Sequence, residues 1–207
     1  MTSPLPVRIG PLQRNEVEEA DRIMRLAFGT FLGMPDPMAF LGGRSFIAPR
    51  FASPNVRGHA ARIDGRLIGT NFATRWGSFG FFGPLTILPE YWDKGVATQL
   101  LHATEKTFDR WGVRRAGLFT FPHSTKHVGL YQKFGYWPTY LTALMARTPN
   151  SAAGRAGTLL SALPRQQREA AIAACARITR RIDRGLDLSD EIRAALKQRV
   201  GEVVLIY

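Results

Sequence analysis

Ile87-Leu88-Pro89-Glu90-Tyr91-Trp92-Asp93-Lys94-Gly95-Val96-Ala97-Thr98-Gln99-Leu100-Leu101 reads as the end of a strand, a tight polar turn and the start of a long helix. Leu85, Ile87 and Leu88 are apolar and strand-like, and Pro89 stops the strand because it has no N–H for the ladder. Gly95 permits a positive φ and lets a ligand lie against the backbone. Beyond it Val96, Leu100, Ala103, Thr107 and Trp111 recur at helical spacing. The first turn of such a helix has N–H groups without internal acceptors, at the positive end of the dipole. That end suits a phosphate or pyrophosphate, although an ordinary strand-to-helix turn reads the same way.

On the N-terminal side, Phe79 to Leu88 reads as one strand leading into this turn. Before it, His59–Ile63 and Arg66–Thr74 flank Asp64-Gly65, a preferred two-residue hairpin turn. Val7–Leu12 reads as a first strand. Asn15 caps the helix after it, with Glu18 in capping-box position and Val17, Ala20, Ile23, Met24 and Ala27 as the buried stripe. Residues 29–54 are rich in Gly, Pro, Phe and Met and show no firm period. On the C-terminal side, Gly112 ends the long helix, and Ala116–Phe121 reads as a buried strand stopped by Pro122. Ser124 caps a further helix that ends at Gly135, and 136–147 reads as a closing strand or strand pair. The order β-α-β-β-β-α-β-α-β predicts a mixed α/β fold, with a mostly antiparallel central sheet and helices on both faces.

Residues 148–157 are a linker by composition, and 158–207 form a helical C-terminal extension ending in a strand. Ala171, Ala174, Cys175, Ile178 and Ile182 are expected to line one helix face. Ser189 is expected to cap a shorter helix ending near Gly201. The terminal strand 202–207 needs a partner. It either opens a second half resembling the first domain, or completes the first sheet or a homodimer.

Composition narrows the function classes. The chain has 207 residues, of which 45% are hydrophobic, enough for one domain core and part of another. No apolar run is long enough for a transmembrane helix, and the first residues lack a basic-then-apolar leader pattern. A single cysteine excludes an internal disulfide framework and suits a reducing, cytoplasmic compartment. No Cys/His cluster has metal-ligating spacing, so no metal is expected. The formal charge of +12 attracts polyanions, but the basic residues are scattered and argue against nucleic acid as the partner.

The central stretch resembles the acyl-CoA-binding segment of the GNAT acetyltransferase superfamily, Arg/Gln-x-x-Gly-x-Gly/Ala. It does so through Trp92-Asp93-Lys94-Gly95-Val96-Ala97. Gly95 and Ala97 fit, while Trp92 stands where Arg or Gln is usual. Ser124-Thr125-Lys126-His127-Val128-Gly129-Leu130-Tyr131-Gln132-Lys133-Phe134-Gly135-Tyr136 resembles the second signature, Asn-x-x-Ala-x-x-Leu-Tyr-x-x-x-Gly-Phe. Leu130, Tyr131, Gly135 and Tyr136 match; Ser124 replaces Asn and His127 replaces Ala. The resemblance spans about residues 6–147, which makes residues 1–147 a GNAT-like domain.

The resemblance implies an acetyltransferase that takes acetyl-CoA as co-substrate and an amine as acceptor. It places the pantetheine arm along the strand ending at Ile87 and Leu88, one of whose N–H groups polarises the thioester. It places the pyrophosphate on Gly95, Val96, Ala97 and Thr98, beside Lys94, and Ser124 on the pantetheine. Tyr131 becomes the acid that protonates the departing thiolate. No carboxylate stands between Leu67 and Leu88, where some members carry a catalytic Glu. His123, water, or an amine that enters already neutral remain as ways to lose the amine proton. A non-catalytic module that binds CoA or a partner is the other reading.

Overall fold

The computed structural model describes residues 6–143, 145, 148 and 157–206. Asp64 and Gly65 both take positive φ, 49° and 80°, the geometry a two-residue hairpin turn needs. They join β2 (Val56–Ile63) to β3 (Arg66–Trp76). β1 (Arg8–Pro11) pairs antiparallel with β2, and β4 (Phe79–Phe82) antiparallel with β3. β6 (Arg115–Gly117) pairs parallel with β4, so the path is β1-β2-β3-β4-β6. A short β5 (Thr86–Ile87) pairs antiparallel with β3 at Gly69 and Thr70.

Strand alternation assigns the two faces. The Asn71 amide donates to Thr104 Oγ1 at 2.8 Å, and the His59 ring meets Thr107 Oγ1 at 3.1 Å. Both partners lie on α3 (Val96–Arg110). The alternate residues Ala60, Ile68 and Phe72 are fully buried in one cluster with Ala20, Ile23 and Met24 of α1 (Val17–Phe31). The expected stripe on α1 is therefore its core face, and helices cover both faces of a mostly antiparallel sheet.

His59 carries a stability prediction. Burial, with Arg57 and Arg110 nearby, lowers its pKa from 6.5 to about 4. The unfolded chain then binds a proton that the folded chain refuses between those values. The contribution is fully present above pH 6.5 and lost as pH falls through 4, on the order of 3 kcal/mol. Urea titrations between pH 6.5 and 4 check this; His59→Asn shows a correspondingly shallower acid dependence.

Several expectations are corrected. The strand expected over 79–88 is two pieces, β4 and β5, separated at Gly83-Pro84, where Pro84 offers no N–H. Helix α1 is preceded by a 3-10 turn, Arg14–Glu16, in which Gln13 N–H donates to Glu16 Oε2 at 2.7 Å. Arg62 holds the same carboxylate, so the contact expected of Asn15 and Glu18 is made two residues earlier. The strand expected over 116–121 is only β6, half-exposed, because no described strand covers its outer edge. No strand occurs over 136–143, and Tyr140 and Leu141 are exposed. The end of that expected strand, and most of the expected linker, lie outside the described residues.

Residues 29–54 are ordered from a distance. Asp21 on α1 is buried, and its Oδ1 accepts from Ser45 Oγ and from the N–H groups of Phe46 and Ile47. Arg25 pairs with Asp21 at 2.9 Å and donates to the carbonyls of Phe40 and Arg44. This fastens the segment before α2 (Ile47–Phe51).

The extension contains β7 (Thr158–Leu159), α5 (Arg165–Ile182), α6 (Ser189–Gln198) and β8 (Val204–Leu205). β8 pairs with β7, not with the first sheet. The buried positions of α5 are Ile172 and Ala176, while Ile178 and Ile182, expected inside, are exposed. An Ala-rich helix has several candidate apolar stripes, and packing against α6 selects this one. The N–H of Ser189 is taken by Asp187 Oδ1 at 2.9 Å, so Asp187 does the capping expected of Ser189. The extension docks at the β3–β4 turn. Ser78 N–H donates to the Gly185 carbonyl, Glu191 accepts from Asn55 and Trp76, and Asp183 pairs with Arg115.

Candidate active site

The split after β4 creates the site. β5 continues along β3, whereas pairing of β4 with β6 stops at Phe81 and Gly117, and Leu118–Phe121 leaves the sheet. Between the two arms lies a cleft of about 570 Å³, lined also by the start of α3 and by α4 (Thr125–Gln132).

Gly95 is the N-cap of α3 with φ 77° and offers no side-chain cap. Gln99 N–H is the one that reaches back to the Gly95 carbonyl, at 3.4 Å, so the N–H groups of Val96, Ala97 and Thr98 lack helical acceptors. Gly95, Val96, Ala97 and Thr98 all line the cleft, and a Cβ on Gly95 would meet no atom within 4 Å. Open donors facing open space at a positive helix end fit an anionic group. Asp93, at φ 61°, pairs across the cleft with Lys126 of α4 at 2.6 Å. Lys94 lies outside the lining, with its ammonium 5.3 Å from the Tyr91 ring centroid.

Trp92 has a structural use: its indole N–H donates to the Ile87 carbonyl at 2.8 Å, tying the loop to β5. The Leu88 N–H is committed to the Ile68 carbonyl at 2.9 Å. In an antiparallel ladder alternate residues bond to opposite sides, so the Ile87 N–H faces away from β3. Of the two donors expected near the thioester, Ile87 is the available one; Leu88 is buried outside the lining.

Tyr131 lines the cleft, its ring edge-on to Phe82 at 5.7 Å. Burial pushes its phenol up to about 12, which keeps the proton on at neutral pH. His127 stands one helical turn earlier, on the same face of α4, and also lines the cleft. Its Nδ1 is 2.7 Å from Ser124 Oγ, and burial, then the neighbouring Lys126, holds its pKa below the ordinary imidazole value. With the Nδ1 proton donated to Ser124, Nε2 carries a free lone pair. Ser124 itself is buried outside the lining, where it orients His127. His123 is exposed outside the cleft, stacked on Phe31 at 6.1 Å. His127 enters the sequence reading only as a departure from the second signature; its i, i+4 spacing from Tyr131 sets both on one face of the helix. Among the described residues no cluster of three metal-ligating side chains occurs, and no helix is long and apolar enough to cross a membrane.

The acetyltransferase (GNAT) family profile matches residues 26–136, more than half of the chain. No curated protein matches it. Solved structures share the fold. PaiA N-acetyltransferase from Thermoplasma acidophilum, in complex with coenzyme A, is 18% identical with a TM-score of 0.55, covering 63% of this chain and 89% of its own. AAC(6')-Iy, bound to a bisubstrate analogue joining CoA to an acetylneamine, is 20% identical with a TM-score of 0.51, covering 69% and 99%. An aminoglycoside acetyltransferase from an uncultured soil metagenomic sample is 17% identical with a TM-score of 0.54, covering 70% and 100%. With the split sheet, the uncapped helix end and the two signature segments meeting at one cleft, this chain belongs to the GNAT acetyltransferase family.

Proposed function

We propose that the protein moves an acetyl group from acetyl-CoA to an amine within a ternary complex. The supporting observation is that the uncapped donors of α3 and the Tyr131–His127 pair of α4 line the same cleft. Val96, Ala97 and Thr98 hold the pyrophosphate through their N–H groups, and Ile87 N–H polarises the thioester carbonyl. Acetyl-CoA, when bound, supplies the acyl carbon and a thiolate leaving group. His127 Nε2 takes the amine proton, and Tyr131 gives its own to the sulfur. Holding both reactants in one orientation contributes on the order of 7–11 kcal/mol to lowering the barrier. Lys126 exchanges Asp93 for a phosphate, and Lys133, also on the lining, meets the outer phosphate.

Thermal melts with acetyl-CoA and with CoA test the reading, run alongside thiol release across an amine panel. Ligand at a hundred times its Kd adds about 2.7 kcal/mol to the folded state. Gly95→Glu removes that stabilisation, because it strains a positive φ and sets a carboxylate before the anion donors. Stabilisation without thiol release from any amine would leave a CoA-binding module. No stabilisation at saturating acetyl-CoA would sink the cofactor assignment.

A further inference from the structure

The cleft passes through the splayed sheet, from the α3 face to the α1 face. Its phosphate-facing donors are on α3; its opposite wall is aromatic. Phe28, Phe31 and Phe121 line that wall. The Phe31 ring sits 5.2 Å from Phe121 and 5.0 Å from His127, so the wall meets the imidazole directly. Phe28 is backed by Phe40, stacked at 5.3 Å with 7° between planes. The carboxylates are the other half of the observation. Among the described residues Asp93 is the one carboxylate on the lining, and Lys126 already pairs with it at the cofactor end.

We propose that the Phe28–Phe31–Phe121 wall is the acceptor subsite and that it selects a monoamine with an aromatic body over a polycationic amine. The inference rests on the acetyl transfer proposed above. An aromatic acceptor stacks on or edge-packs against these rings at the 4.5–7 Å spacing they already use among themselves. Its single ammonium finds ring faces on the way in and then His127. The amine nitrogen forms the C–N bond to the acyl carbon as the acyl C–S bond breaks. The ammonium gives its first proton to water before the bond forms, the second amine proton goes to His127 and the Tyr131 proton to the leaving sulfur, and the His127 proton returns to Tyr131 through solvent, giving an amide, CoA thiol and one released proton. A polyamine or aminoglycoside would bring several further ammonium groups to a wall without a carboxylate, on a chain of net charge +12. Each would be desolvated unpaired or repelled.

The test uses the full chain with acetyl-CoA and compares phenethylamine and tryptamine with spermidine and kanamycin by thiol release. The expected result is a kcat/KM at least tenfold higher for the aryl amines. Phe121→Leu keeps apolar bulk without a π face, and it raises the phenethylamine KM several-fold while the acetyl-CoA thermal shift persists. Equal or better turnover of spermidine or kanamycin overturns the proposal. So does a protein that acetyl-CoA stabilises but that acetylates neither aryl amine. Absence of any acetyl-CoA shift is a different failure, that of the cofactor reading beneath it.

Discussion

Tyr131→Phe lowers kcat by about two to three orders of magnitude while the acetyl-CoA thermal shift stays within a degree of wild type. General acids of this kind contribute roughly 10²–10⁴-fold. The substitution removes one oxygen and keeps the ring that packs edge-on to Phe82, so the fold is retained. A phenol at about 12 is a weak acid beside a free thiol near about 8.5. Desolvation also makes the departing thiolate more basic, which narrows that gap. Because the phenol stays protonated well above neutrality, the acid limb belongs to another group, and activity persists into alkaline buffer. Single-turnover thiol release measures the effect; an unchanged kcat would remove Tyr131 from the chemistry.

His127→Gln lowers kcat about a hundredfold and flattens its dependence on acid. In the wild type the base works only when neutral. Burial and Lys126 hold its pKa below 6.5, so kcat rises with pH through a midpoint under that value and is level at neutrality. Lys126→Met removes the like charge and moves the midpoint up towards 6.5. His123→Ala, an exposed imidazole outside the cleft, leaves the profile where it was. If the His127→Gln profile kept the wild-type limb, the proton would have another acceptor.

The parts of the fold legible in sequence are those whose causes are local. Asp64-Gly65 carries its own turn geometry, Gly95 its own positive φ, and α1 a stripe that any partner sheet would bury. The parts missed are set by contacts far along the chain. Nothing near residues 44–47 indicates that Asp21 and Arg25, twenty or so residues earlier, bond their backbone. The face that α5 buries depends on α6. In the cleft, Gly95–Thr98 could be placed from their own turn, and Tyr131 only from the resemblance, because backbone donors and motif positions are one-dimensional features. His123 and His127 are four residues apart and chemically identical in a sequence. Only the packing of Phe31 and the Ser124 hydroxyl separates an exposed ring from one fixed in the cleft. Trp92 reads as a defect in the motif until its indole is seen on the Ile87 carbonyl.

The extension meets the domain through polar contacts: Arg115 with Asp183, Glu191 with Asn55 and Trp76, and Gln198 with Pro49 and Ser53. Between two free molecules the exposed pair among them, Arg115 with Asp183, would be screened by salt and hold little. Carried on one chain, they act at an effective concentration in the millimolar range or above. The covalent connection therefore adds to whatever these contacts hold by themselves. β7 and β8 bring the two described ends of the extension side by side. Severed from the chain, the extension would keep only these contacts, which dilution and salt both weaken.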